Sequence, residues 1–224
     1  MTLGCRIAKR VRAVPTEMIE QFRPLPVANV SDVMSRMSGG GADLRPMHAG
    51  GVLAGPALTV KTRPGDNLMI HKAIDMADPG DIIVVDAGGI LTNALIGELM
   101  LAHATKRGIG GFVIYGAIRD VAVIRAQHVP VYAAGITHRG PYKDGPGEIN
   151  FPIAIEGMMI EPGDLMLGDD DGVLCVPYDH TETVLAAARA KQAAEEKQMA
   201  ATLAGTSDRS YIDKTLAKIG CEMP

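Results

Sequence analysis

Asp81-Ile82-Ile83-Val84-Val85-Asp86 and Gly111-Phe112-Val113-Ile114-Tyr115 are two short apolar runs with a helical pattern between them. Runs of this length, rich in β-branched residues and closed by turn signals, read as buried strands. Pro79-Gly80 introduces the first, and Ala87-Gly88-Gly89 releases it. Leu99 to Lys106 reads as a helix that stops at Gly108. One helix, a glycine turn and one strand return the chain to where the helix began. Gly97-Glu98-Leu99-Met100 and Arg119-Asp120 are therefore expected to meet.

The flanks are less regular. Pro15-Thr16-Glu17 makes a helix start, and Ser31-Asp32 is expected to cap a second short helix through Met37. Residues 50–62 alternate loosely and read as a bent strand. Asn67 to Met76 carries Leu68, Ile70, Ala73 and Met76 at helical spacing. Val121 to Gln127 reads as a short helix and Val129 to Ala133 as a strand. Gly135 to Gly147 reads as a loop. Strands follow around Ile153 and at Gly172 to Val176, then a long helix from Glu182 to Leu203 and a polar tail after Gly205. Strand and helix alternate only in the middle. That predicts a mixed α/β domain built in layers, rather than a regular doubly wound sheet.

At 224 residues, one domain with a sizeable core is the expectation. Lys and Arg total 22 against 26 Asp and Glu, a net charge of −4, which gives nucleic acid no basic face. The lack of Trp and the 4% aromatic content also speak against a base-stacking surface. Apolar runs break well short of the ~20 residues that span a bilayer. Met1-Thr2-Leu3-Gly4-Cys5-Arg6 has no signal-peptide core, so a cytoplasmic protein with no membrane partner is expected. Cys5, Cys175 and Cys221 are odd in number and far apart, which disfavours a disulfide framework or a zinc site. Cys175, in Gly172-Val173-Leu174-Cys175-Val176-Pro177, reads as a small buried strand residue.

Chemistry concentrates at two places. Gly97 permits close backbone approach, and the Leu99 and Met100 amides lie in or near a helix's first turn, where N–H groups lack intrahelical partners. Such a start can bind a carboxylate or phosphate. The alternative is a plain turn glycine, with Glu98 a first-turn acid. Arg119-Asp120 follows a buried strand, where ligands gather in α/β sheets. Arg119 offers a fork of donors for a carboxylate or enolate, and Asp120 offers a hard oxygen for Mg²⁺ or Mn²⁺. The alternative is an Arg-Asp pair capping the next helix. Asp169-Asp170-Asp171 admits a metal cluster or, more often for such a stretch, a hairpin turn whose acids bond its own backbone. His71, His103 and His138 lack ligand spacing and are assigned surface or loop roles. Among Lys61, Lys72 and Lys106, only Lys106 falls between Gly97 and Asp120, at the far end of its helix. A Schiff base is therefore disfavoured.

At these residues the chain resembles the RraA-like family, named after a regulator of ribonuclease E activity. Within it the chain looks most like the metal-dependent 4-hydroxy-4-methyl-2-oxoglutarate/4-carboxy-4-hydroxy-2-oxoadipate aldolases. The resemblance runs from about Val27 to Ala194. Its strongest parts are Pro64-Gly65-Asp66-Asn67, Gly80 to Gly89, Gly97 to Met100 and Gly116 to Asp120. Gly140-Pro141, Gly145 to Asn150 and Gly168 to Pro177 continue it.

The resemblance implies a layered β/β/α swivelling domain, core about 27–178, with helices at both ends. It implies a homotrimer or dimer of trimers with sites between subunits, and pyruvate chemistry on a small 2-oxo acid with Mg²⁺ or Mn²⁺. In those aldolases an acid, 20 residues and Arg-Asp form the signature. Here the acid is Glu98, where characterised aldolases usually have Asp, and the extra methylene moves the carboxylate by about 1.5 Å.

By that likeness Asp120 holds the metal, Glu98 acts with it through water, and Arg119 binds the pyruvyl oxygens. Gly97 and the Leu99 and Met100 amides receive the carboxylate. Glu195 or Glu196 of a neighbouring subunit reaches the metal's water shell. Cleavage to pyruvate with oxaloacetate decarboxylation as a side activity is implied. The rivals are a lyase or decarboxylase for another 2-oxo acid, and a non-catalytic protein-binding regulator of ribonuclease E. A methyltransferase finds no Gly-rich nucleotide fingerprint here.

Overall fold

The computed structural model describes residues 3–222, so Met1 and Thr2 of the N-terminal reading lie outside it. Contacts divide the chain into two compact units, residues 1–188 and 189–224.

In the first unit the strands are β1 (Cys5–Ile7), β2 (Arg45–Pro46), β3 (Leu53–Thr62), β4 (Ile82–Asp86), β5 (Ala94–Ile96), β6 (Gly111–Ile118), β7 (Val131–Ile136), β8 (Gly147–Ile149), β9 (Ile153–Ile155), β10 (Met158–Ile160), β11 (Leu165–Asp169) and β12 (Gly172–Val176). The helices are α1 (Thr16–Phe22), α2 (Val27–Val33), α3 (Leu68–Met76), α4 (Glu98–Lys106), α5 (Val121–Arg125) and the start of α6 (Thr181–Leu203). The main sheet runs β1-β8-β3-β4-β6-β7-β2, with β5 beside β6. β3, β4, β6 and β7 are parallel to one another, so β4 and β6 end at the same edge of the sheet. The two opening runs of sequence are these central strands, and their side chains are buried on both faces.

β3 joins two layers. Its first half pairs with β11 and its second half with β4 and β8. The bend passes Gly55, where a Cβ would lie 2.3 Å from the Gly80 carbonyl. One face of the sheet packs on α3 and α4 through Ile70, Ile74, Leu101, Ile83, Val85, Phe112 and Ile114. The other packs on β9 to β12 through Val84, Val113, Tyr132, Ile155, Met158 and Met166. The outer side of β11 and β12 packs on α1, α2 and the first turns of α6 through Ile19, Phe22, Val30, Leu174 and Ala188. The layered mixed α/β expectation, with helices at both ends, holds.

Several local expectations need correction. The second helix starts at Val27 after Pro26, because proline's fixed φ suits a helix start; it ends before Ser35 and Arg36, which turn to positive φ. Along α3 the buried residues are Met69, Ile70, Ala73 and Ile74, while Leu68 is exposed: two adjacent apolar residues per turn widen the buried stripe. The loop expected from Gly135 begins only after β7 ends at Ile136. β1, β2, β5, β8, β10 and β11 are additional strands. Two readings hold: Asp169-Asp170-Asp171 closes the β11–β12 hairpin, where Asp169 Oδ1 accepts the Asp171 N–H at 3.0 Å, and Cys175 is a buried residue of β12.

The second unit holds the remainder of α6 and α7 (Tyr211–Lys218). The expected polar tail is therefore partly helical, with Ile212 and Leu216 at i,i+4. No helix among the described residues is long and apolar enough to cross a membrane.

Candidate active site

α4 starts at the sheet edge where β6 delivers Arg119 and Asp120. Gly97, in extended backbone at φ −157°, precedes the helix. A Cβ there would lie 2.3 Å from Asp120 Oδ2 and 3.0 Å from Arg119 Cγ, so the close approach demands glycine. Asp120 adopts the left-handed conformation at φ 58°, which Asp tolerates better than most side chains. Its carboxylate does not cap α5. Instead Oδ2 accepts the Glu98 N–H at 2.9 Å, at the head of α4, and lies 3.6 Å from Arg119 Nε. The Asp120 carboxylate thus bonds back to the head of α4 and does not cap the next helix, α5.

The first backbone bond of α4 runs from the Leu101 N–H to the Gly97 carbonyl at 3.1 Å. With the Glu98 N–H taken, the Leu99 and Met100 amides are donors without a described protein partner. Arg119 N–H donates to the Ile96 carbonyl at 3.0 Å, fixing the arginine's root, while its side chain is 43% exposed.

Asn67, His71, Leu95, Ile96, Gly97, Leu99, Met100, Arg119, Asp120, Pro141 and Lys143 line one cavity of about 140 Å³. A water's share of liquid is about 30 Å³, so the space suits a small organic acid. Asn67 is 2% exposed; its Nδ2 donates to the Leu95 carbonyl at 2.9 Å, and its Oδ1 is buried without a partner. A buried, unpaired acceptor in a cavity is costly unless a ligand or water supplies a donor. Partial burial and the Lys143 charge hold the His71 imidazole below its ordinary pKa, as does His103, against Asp75.

Gly97, Leu99, Met100, Arg119 and Asp120 are thus brought together. Glu98 contributes its backbone N–H, but its exposed side chain is not among the lining residues. Glu195 and Glu196 lie in the second unit, where Glu195 pairs with Lys191 at 2.8 Å. Lys106 ends α4, away from the helix start. His138 lines a neighbouring recess beside Arg119 and Asp120. His103 sits 3.5 Å from Asp75 on the helical side.

Three polar lining residues were not read as site residues in the sequence. Asn67, which immediately precedes α3, and His71 in its first turn are four apart, a spacing that places them on one side and could have flagged them. Lys143 follows no local pattern; only the path of the 139–147 segment brings it here.

The donor set suits a hard divalent cation. Asp120, whose Oδ1 is an anionic oxygen with no described protein partner, lines the cavity. Among the described residues no three His, Cys, Asp or Glu side chains form a cluster, so most ligands of such an ion would be water or substrate.

The chain thus buries a parallel crossover between layers and sets helix amides, an arginine and an aspartate at the strand ends. The family profile described as RraA-like, Aldolase/RraA, matches residues 27–175, and the chain belongs to this family. A Halalkalibacterium halodurans protein named "Putative 4-hydroxy-4-methyl-2-oxoglutarate aldolase" is 39% identical over 201 residues, covering 89% of this chain and 96% of that protein. An uncharacterized protein of Pseudomonas syringae pv. tomato superposes with TM-score 0.78 at 25% identity, covering 87% and 96% of the two chains. The RNA-processing inhibitor RraA of Thermus thermophilus superposes with TM-score 0.63 at 28% identity, covering 68% of this chain and 92% of its own.

Proposed function

We propose that this protein is a divalent-metal-dependent pyruvate aldolase. It cleaves 4-hydroxy-4-methyl-2-oxoglutarate or 4-carboxy-4-hydroxy-2-oxoadipate to pyruvate and a second oxo acid, and decarboxylates oxaloacetate as a side activity. The observation that carries this reading is the meeting, at one cavity, of the Arg119 guanidinium, the free Asp120 oxygen and the two unpaired amides of Leu99 and Met100. The relatives named as aldolases support the reaction class.

In this reading the Leu99 and Met100 amides donate to the substrate carboxylate at the positive end of α4. Arg119 donates to the keto oxygen, and does so more strongly as that oxygen takes up enolate charge. The 4-hydroxyl gives its proton to a water in the cavity as C4 becomes a carbonyl and the C3–C4 bond breaks; the electron pair is held across C3 and the keto oxygen until a water returns a proton to C3. Asn67 Oδ1 accepts from a donor on the bound acid or a water. Lys143 supplies a cation for a second carboxylate. Asp120 would hold Mg²⁺ or Mn²⁺, with Glu98 and Glu195 or Glu196 of a neighbouring subunit acting through water. Such an ion supplies Lewis-acid polarisation of the keto group. The subunit arrangement proposed is a trimer or a dimer of trimers.

The test is a pyruvate-coupled assay over a panel of 4-hydroxy-2-oxo acids and oxaloacetate. Chelation should remove activity and either ion should restore it. Arg119→Ala should cost at least about 10²-fold in kcat. Metal-loaded protein that binds oxalate but cleaves none of these acids would overturn the proposal.

A further inference from the structure

The 139–147 segment forms one wall of the cavity and is held at both ends. At its start Asn93 Nδ2 donates to the Gly140 carbonyl at 2.6 Å, and the Ala94 N–H donates to the Arg139 carbonyl at 2.8 Å. At its end the Asp66 carboxylate gathers it. Oδ2 accepts the Asp144 N–H at 2.7 Å, the Gly145 N–H at 2.9 Å and Arg63 Nη2 at 3.1 Å. Oδ1 accepts the Leu68 N–H at 2.9 Å, in the first turn of α3. Asp66 is 0% exposed. Its two oxygens thus divide between the helix carrying Asn67 and His71 and the loop carrying Lys143. The Asn67 N–H donates to the Tyr142 carbonyl at 3.0 Å and completes the seam.

We propose that Asp66 is a positioning residue of this site, which fixes the Lys143 ammonium at the cavity by binding the loop and α3 with one carboxylate. Only a carboxylate can do this. Asn in its place has a single acceptor oxygen, and its NH₂ would confront either the loop amides or the Leu68 N–H. With Lys143 fixed, the cavity discriminates in favour of 2-oxo acids that carry a second carboxylate. That consequence for substrates rests on the function proposed above; the positioning does not.

The test compares Asp66→Asn, Lys143→Ala and the double variant in the full chain, by NMR titration of His71, amide exchange and kinetics. Lys143 is one of the charges acting on His71, with His103 and Asp75 the others. Asp66→Asn should therefore speed exchange at the Asp144 and Gly145 amides and raise the His71 midpoint. Lys143→Ala should raise that midpoint equally, and the double variant no further. On a 4-carboxylated substrate Asp66→Asn should raise KM about tenfold and leave kcat within about threefold.

An unchanged His71 midpoint and KM beside faster amide exchange would overturn the proposal, since the carboxylate would then be merely structural. Fully additive effects in the double variant would also overturn it. Should Asp66→Asn fail to fold, Asp66→Glu keeps the charge and shifts only the reach. It should give the same changes at smaller size, and an unchanged His71 midpoint in that variant counts against the proposal. If the wild type cleaves no 2-oxo acid, the functional reading fails while the His71 titration still decides the positioning.

Discussion

Gly97 shows how one hydrogen in place of a methyl shapes the site. Its backbone is ordinary extended chain, so the constraint is space, set by Asp120 Oδ2 at 2.3 Å from a would-be Cβ. Gly97→Ala must push the Asp120 carboxylate or the head of α4 aside. Misplacement of about 1 Å costs on the order of 10² in rate, so kcat/KM should fall by that order while the thermal midpoint moves by only a few degrees. The cysteines give a second residue-scale prediction. Cys175 is buried, and burial together with Asp164 pushes its thiol well above the ordinary range. A thiol reagent should modify the exposed Cys5 and Cys221 in the native protein and Cys175 only on unfolding. The need for glycine at position 97 and the burial of Cys175 were both legible in sequence. That Asp120 would bond backward to α4 was not, because its choice between two helices depends on a left-handed backbone that no neighbouring residue dictates.

At the scale of elements, α3 and the 139–147 segment depend on Asp66. Burial alone would raise its carboxyl, but the Leu68, Asp144 and Gly145 amides and Arg63 outweigh it and hold the group below the usual aspartate range. A carboxyl whose folded pKa is depressed contributes stability above its unfolded value of about 3.9, and that contribution is lost as pH falls through the folded value. The thermal midpoint of the wild type should therefore exceed that of Asp66→Asn near neutral pH. The two should converge below about pH 4, as followed by circular dichroism across a pH series. β6 offers a control distant from this seam: Phe112 is fully buried, and Phe112→Ala should cost about 3–5 kcal/mol in urea unfolding. The central strands and α4 were legible because both faces are apolar and glycines mark their ends. The widened buried face of α3 was not, because period alone does not say how far the facing layer extends.

For the whole molecule, the net charge of −4 and the likeness to a Thermus thermophilus RNA-processing inhibitor frame a contest between catalysis and protein binding. A scaffold can keep a site it no longer uses. The proposed function predicts turnover that an Asp120→Ala variant loses together with its metal dependence. It also predicts no retention on RNA and no capture by a ribonuclease E fragment in a pull-down run beside the lyase assay. Capture without turnover would favour the regulator.

The amino-acid order by itself determined the strand–helix–strand centre, the layered α/β class and the convergence of Gly97 to Met100 on Arg119-Asp120. These follow from local pattern and a fixed number of residues per turn and per strand. Only the tertiary structure decided that Asn67, His71 and Lys143 share that cavity and that the Glu98 N–H is taken by Asp120 while the Glu98 side chain stays outside the lining. Such neighbours are set by how layers stack and where a buried carboxylate ties distant loops, as Asp66 ties the Asp144 amide across 78 positions of sequence.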